Sequence, residues 1–248
     1  MPPGVRCQHF RILAFRLFSI SLSPQSLLLM SVIKNLASGW TSGSPAANLR
    51  QARLDLLLTF LPPQAGLFRI LDVGGQPEFW QALDLSRMPP HTITFYNLMP
   101  VPCTMSNAVS LIGDARDLSQ FDNASFDLVF SNSVIEHVGG LREQRHMAKE
   151  CARVGKHYFV QTPNRFFPME PHFLIPCFQF LPVRIRAWCH SRWDLGWWKA
   201  AHSYHEALEE VESIRLMTED ELRHCFPDAT IWREKWHCIT KSFVAHNF

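Results

Sequence analysis

Four short polar clusters in this chain fall where an apolar run ends, and together they could hold a nucleoside-bearing cofactor. The first is Asp72-Val-Gly-Gly75: glycine lets the backbone approach a ligand closely, and the Asp72 carboxylate could accept from the loop or from a cationic ligand group. Asn97 follows, an amide able to bond ribose hydroxyls. Gly113-Asp-Ala-Arg116 offers a carboxylate for an exocyclic adenine amine, and Ser131-Asn-Ser133 closes the series. Each has an ordinary structural reading as well, since Gly-Gly and Asn form turns and Asp caps helices. Their recurrence at four successive run ends favours a site.

The elements that must position these residues follow from hydrophobic pattern. Residues 38–48 read as a loop, and Leu54, Leu57, Leu58 and Leu61 then recur at helical spacing until Pro62-Pro63. Strands are predicted at 69–73, 92–97, 110–112, 126–131 and 157–162, with a helix near Pro77 and another over 142–154. Strands separated by helical patterns argue for an α/β fold with a doubly wound parallel sheet, whose ligands bind beyond the carboxyl ends of its strands. Near the end, Thr218-Glu-Asp-Glu221 is a capping box. Strand-like runs at 229–234 and 242–245 can pair antiparallel at the sheet edge.

Composition sets the bounds. Of 248 residues, 47% are hydrophobic and 19% charged, enough for a sizeable core. Six of the 24 basic residues precede Asp55, the first acidic one, so the other 18 face 22 acids. The body is mildly acidic and carries no basic stripe for nucleic acid. Seven cysteines without a CxxC pair argue against a disulfide framework or zinc finger and for a reducing compartment, the cytoplasm. The stretch 17–33 is apolar but interrupted by five serines, a proline and a glutamine, which disfavours a membrane span. A transit peptide, a weak signal-peptide core and a translation start at Met30 all fit it; the last is preferred, because organised sequence begins after it. Residues 1–48 are expected as a poorly ordered extension and 49–248 as the functional domain.

The series Ile70-Leu-Asp-Val-Gly-Gly75, Gly113-Asp-Ala115 and Phe126-Asp-Leu-Val-Phe-Ser-Asn-Ser-Val-Ile-Glu-His-Val138 resembles class I S-adenosylmethionine-dependent methyltransferases, and within them the type 11 group, over about residues 50–165. The resemblance implies a Rossmann-like, seven-stranded, mostly parallel sheet with an antiparallel C-terminal strand, and methyl transfer from S-adenosylmethionine to a small molecule. It places Asp72, Gly74 and Gly75 at the methionine end, Asn97 at the ribose, Asp114 and Ala115 at the adenine, and Ser131 and Asn132 near the sulfonium. There are departures. Gln76 and Glu78 stand where the pattern has glycine, and Asn97 stands where most relatives have an acid. These leave open a non-catalytic, methyltransferase-like binding or scaffold protein. A nicotinamide enzyme would want G-x-G-x-x-G after the first strand, which Gly74 to Phe79 lacks.

A general base is needed only where the acceptor must lose a proton. His137 is the first candidate, then Glu136 and His172. Glu136-His137 is similar to a metal-binding pair of some quinone-pathway O-methyltransferases, but the third ligand there would fall on Ser133, so no metal is expected. The loop after the fifth strand commonly borders the acceptor in this family; Asn164, Arg165, Glu170 and His172 could orient it, in a segment stiffened by Pro163, Pro168 and Pro171. Residues 173–215 then leave the βα alternation, with four of the eight tryptophans among several arginines by residue 199. This helical, aromatic insertion is expected as a lid over a hydrophobic acceptor, or as a peripheral membrane contact through 173–199. Oligomeric state is not legible.

Overall fold

The computed structural model describes residues 34–35, 43–61 and 66–248. The readings of residues 1–29 lie outside them. Helix α1 (Pro45–Phe60) begins before Leu49, inside the stretch expected as a loop. The reason is local: Ser44 is extended and its Oγ accepts from the Ala47 N–H at 3.0 Å, and Pro45 opens the helix where a missing N–H costs nothing.

The sheet follows. Strands β1 (Phe68–Val73), β2 (His91–Asn97), β3 (Ala108–Ile112), β4 (Phe126–Asn132) and β5 (Gly155–Pro163) are parallel where they pair. Strands β6 (Thr230–Trp236) and β7 (Ile239–His246) form an antiparallel pair, and β7 lies antiparallel against β5. The order is β3-β2-β1-β4-β5-β7-β6, a seven-stranded mixed sheet. The last strand thus inserts between β5 and β6 rather than closing the edge.

Helices between strands are fewer than the sequence suggested. Among the described residues, α2 (Pro77–Gln81) is five residues long, and the crossovers from β2 to β3 and from β3 to β4 carry no α-helix. The β4–β5 crossover holds α3 (Leu141–Val154), whose Gln144, Met147, Ala148, Cys151 and Val154 make one buried stripe at helical spacing. Central strands are buried on both faces, as parallel strands require. Leu71, Val73 and Val129 pack with Met147 and Cys151 on one side; Ile70, Leu128, Phe130 and Phe159 pack with Leu57 and Trp80 on the other.

The insertion after β5 includes α4 (Val183–His190) and α5 (Tyr204–Glu212) and has its own buried cluster, with Phe173, Phe178, Cys189, Leu195 and Val211. A capping box on Thr218 and Glu221 then starts α6 (Glu219–Cys225). The six cysteines among the described residues are free, and no helix there is long and apolar enough to cross a membrane.

Candidate functional site

The carboxyl ends of β1, β2 and β4 are tied to one another by hydrogen bonds onto backbone carbonyls. The Gly74 N–H donates to the Tyr96 carbonyl at 2.9 Å, and the Asn97 amide donates to the Gly75 carbonyl at 2.9 Å. Ser131 Oγ donates to the Val73 carbonyl at 3.0 Å. Gly74 has φ +77°, and a methyl group there would stand 2.4 Å from a Val134 methyl, so both dihedral and space demand glycine. At Gly75 an added carbon would meet the Asp72 carboxylate.

Asp72 is buried at the end of β1. Its Oδ2 accepts from Trp80 Nε1 at 2.6 Å, while Oδ1 is buried without a partner. Burial pushes this carboxyl up to about 7, against the Trp80 hydrogen bond, which lowers it. The Asn132 Oδ1 is likewise buried and unpartnered. Trp80 packs edge-on to Phe130 at 5.1 Å and was not singled out in the sequence. No local signal marks it, because it reads as one apolar residue of a short helix.

Asp114 follows β3. The turn is joined to Asn97 by the Gly113 N–H donating to the Asn97 carbonyl at 2.8 Å, and the Asp114 carboxylate is engaged by Arg116 Nε at 2.9 and 3.0 Å. Hydrogen bonding from Arg116 holds this carboxyl below the usual carboxylate range. Ala115 packs against the core.

A second group of polar side chains sits past β4 and β5. Glu136 and His137 lie on a 3-10 turn, Ile135–His137, that Gln144 of α3 fastens by donating to the Ile135 carbonyl at 3.1 Å and the Arg215 carbonyl at 2.9 Å. Glu136 is fully buried; one carboxylate oxygen accepts from Thr162 Oγ1 at 3.0 Å and the other has no partner. Burial pushes its carboxyl up to about 7, partly opposed by His172 nearby. His137 Nε2 meets His172 Nε2 at 3.1 Å, with the rings perpendicular. Loss of solvent around His137, with His172 beside it, lowers its pKa to about 4.

Glu170 holds His172. Its Oε1 lies 2.8 Å from His172 Nδ1, and its Oε2 accepts from the backbone N–H groups of His172 at 2.8 Å and Phe173 at 2.5 Å. Burial works against a charge on His172, but the Glu170 hydrogen bond and charge outweigh it and raise that pKa. Glu170 is therefore buried and committed to His172 rather than open to an acceptor. Asn164 is also structural: it donates to the Thr240 carbonyl at 2.8 Å and accepts from the Phe166 N–H at 3.0 Å. Arg165 is exposed. Trp197, half exposed, donates through Nε1 to the Pro171 carbonyl at 3.2 Å and so borders the His172 turn.

Residues 81–158 match a family model described as a methyltransferase domain. Two uncharacterized proteins of Mycobacterium tuberculosis, from strains CDC 1551 / Oshkosh and ATCC 25618 / H37Rv, are 42% identical over 53 residues, 21% of this chain. The chain spans 18% of the length of these curated relatives. Among solved structures, the N-methyltransferase NodS of Bradyrhizobium japonicum WM9, in complex with S-adenosyl-L-homocysteine, aligns with TM-score 0.49 at 13% identity over 83% of this chain and 88% of that one. A structure described as a putative O-methyltransferase of Nostoc punctiforme PCC 73102 aligns with TM-score 0.49 at 12% identity, over 92% and 63%. The family match agrees, over residues 81–158, with the reading of a type 11-like methyltransferase domain.

Proposed function

We propose that this chain transfers a methyl group from S-adenosylmethionine to a small-molecule acceptor bound on the His137–His172 side. The observation that carries the reading is the pair of buried acceptors without partners, Asp72 Oδ1 and Asn132 Oδ1, at the ends of the adjacent strands β1 and β4. A buried oxygen without a donor costs free energy, which a ligand ammonium or hydroxyl would recover. S-Adenosylmethionine would supply the electrophilic methyl on its sulfonium.

Asp72 would hold the cationic methionine end against the backbone of Gly74 and Gly75. The Asn97 side chain already braces that turn through Gly75, leaving its other polar groups for the ribose. Asp114 is shared with Arg116, so adenine contact falls mainly on the backbone of Ala115. Ser131 fixes the floor through Val73, and Asn132 closes the site nearest the methyl group. Methyl transfer from a sulfonium is an in-line displacement, so positioning supplies much of the rate.

For an acceptor bearing a proton, His172 is the base. Glu170 fixes its ring, so the proton removed at Nε2 is held on an imidazolium paired with a carboxylate. His137 is adjacent and kept neutral, so it shares that proton as a hydrogen-bond partner. The exposed Trp197 beside this turn favours an apolar or aromatic acceptor body.

A membrane contact of the insertion is the second reading, favoured by the exposed Phe180, Ile185 and Trp188 and by Arg192 lying over the Trp188 ring. Liposome flotation of the chain with and without residues 173–199 tests it: equal recovery removes the idea.

The main reading is tested by calorimetric titration with S-adenosylmethionine and S-adenosylhomocysteine, followed by labelled cofactor and a metabolite extract. Binding that is lost on Asp72→Asn, with a labelled product, is expected. No heat at about millimolar ligand on folded protein would favour the scaffold alternative.

A further inference from the structure

The geometry points to a divalent metal site of the zinc class, formed by Glu136, His137 and His172. One ligand atom from each residue lies within 4.8 Å of the others. The two imidazole nitrogens are 3.1 Å apart. Nitrogens bound to one zinc ion at ~2.0–2.1 Å in a tetrahedral site stand roughly 3.3 Å apart, so this spacing is already close to that of a shared ion. The third donor is independently marked: Glu136 is fully buried, and one of its carboxylate oxygens has no hydrogen-bond partner. A buried carboxylate oxygen without a partner, beside two imidazoles, is a donor that a bound cation would satisfy.

The surroundings favour the same assignment. Glu170 lies 2.8 Å from His172 Nδ1, which puts a proton there and leaves a lone pair on Nε2 facing His137. Such a carboxylate–histidine pair is the usual support of a histidine ligand. Thr162 Oγ1 donates to the other Glu136 oxygen at 3.0 Å and fixes the carboxylate plane. Two imidazoles and one carboxylate suit zinc, iron or cobalt, whereas magnesium and calcium prefer oxygen donors. With three protein ligands, the ion keeps an open position.

The sequence expectation of no metal rested on Ser133 as third donor. Ser133 Oγ instead donates to Gln161 Oε1 at 2.8 Å, and the third ligand comes from His172, across the sheet end. The metal site stands on this geometry alone. Only its role rests on the methyl-transfer reading: with an ion bound, His172 Nε2 is a ligand and the metal holds and acidifies the acceptor, so the base role of His172 belongs to the metal-free chain.

The test is metal binding by the untagged full chain. After chelator treatment and dialysis, Zn2+ is titrated against a chromophoric chelator, and Co2+ is followed by its visible ligand-field bands. One ion per chain is expected. Affinity should drop at least ~10-fold in His137→Ala and in His172→Ala, and by ~10–100-fold in Glu170→Gln, the supporting carboxylate. Circular dichroism selects folded variants, and His137→Gln substitutes where the alanine variant does not fold. Substoichiometric zinc with no cobalt bands, or an affinity unchanged by the histidine variants, would overturn the site. Calorimetry with S-adenosylmethionine on the metal-free chain is run in parallel. Cofactor binding without metal binding sinks the metal site alone, and metal binding without cofactor binding sinks the methyl-transfer reading alone.

Discussion

His137 and His172 are 35 residues apart in the chain, yet their Nε2 atoms stand 3.1 Å apart with perpendicular rings. One histidine comes from the turn after β4 and the other from the segment after β5, so neighbouring parallel strands deliver both to one edge. His172 is set by Glu170. Removing the imidazole by His172→Ala should lower single-turnover methyl transfer by ~10²–10⁴-fold, the usual worth of a positioned general base. Glu170→Gln should cost less, ~10-fold or more, because the ring stays but loses its orienting charge. Rapid-quench measurement with saturating cofactor checks this. An unchanged rate in His172→Ala would remove the base role.

Asp72 should make both stability and cofactor affinity depend on pH. Its carboxyl is raised from 3.8 to about 7 by burial, against the Trp80 hydrogen bond. Between those values the folded chain holds a proton that the unfolded chain has released. The stability from this group is therefore full at low pH and is lost as pH rises through about 7, by a few kcal/mol at most. Asp72→Asn should be the more stable protein at about pH 8, and the difference should vanish toward about pH 4 in urea titrations. Cofactor binding runs the other way. A ligand ammonium favours the carboxylate, so affinity measured by calorimetry should rise through about pH 7 in the native chain; a pH-independent affinity would remove Asp72 from the cofactor site.

Asn97→Asp should weaken the site. The Asn97 amide donates to the Gly75 carbonyl at 2.9 Å, and a carboxylate cannot. It would instead set two oxygens against each other across the glycine turn, at a cost of about 1–3 kcal/mol. Cofactor affinity measured by calorimetry should fall several-fold; a rise would mean that the ribose contact outweighs the brace.

Arg53 and Glu234 form an ion pair between α1 and β6, with Nη1 at 3.1 and 3.2 Å from the two carboxylate oxygens and both residues buried. Ser242 Oγ adds a hydrogen bond to Glu234 at 2.7 Å. Arg53→Met leaves the buried Glu234 only Ser242 and the more distant Lys241, 3.9 Å away, and should cost up to about 3 kcal/mol in denaturant unfolding. The double variant Arg53→Met with Glu234→Gln should recover much of that loss. Equal stability of native and Arg53→Met chains would place the pair outside the fold's energetics.

The sequence alone determined the parallel-sheet core and the polar ends of β1 to β4. Those signals are local: a buried strand shows as an apolar run, a turn as glycine and asparagine, a helix start as Thr218 three residues before Glu221. Even there, the helix expected from Leu49 begins at Pro45, because Ser44 caps it from within a loop-like stretch. Tertiary structure decided the rest. Trp80 on the Asp72 carboxylate, Glu170 turned onto His172 rather than toward an acceptor, Arg53 with Glu234 and His137 with His172 all depend on how distant segments pack. Periodicity carries no record of such pairs, since a side chain's partner across the sheet is fixed by strand order and register, which only the folded chain possesses.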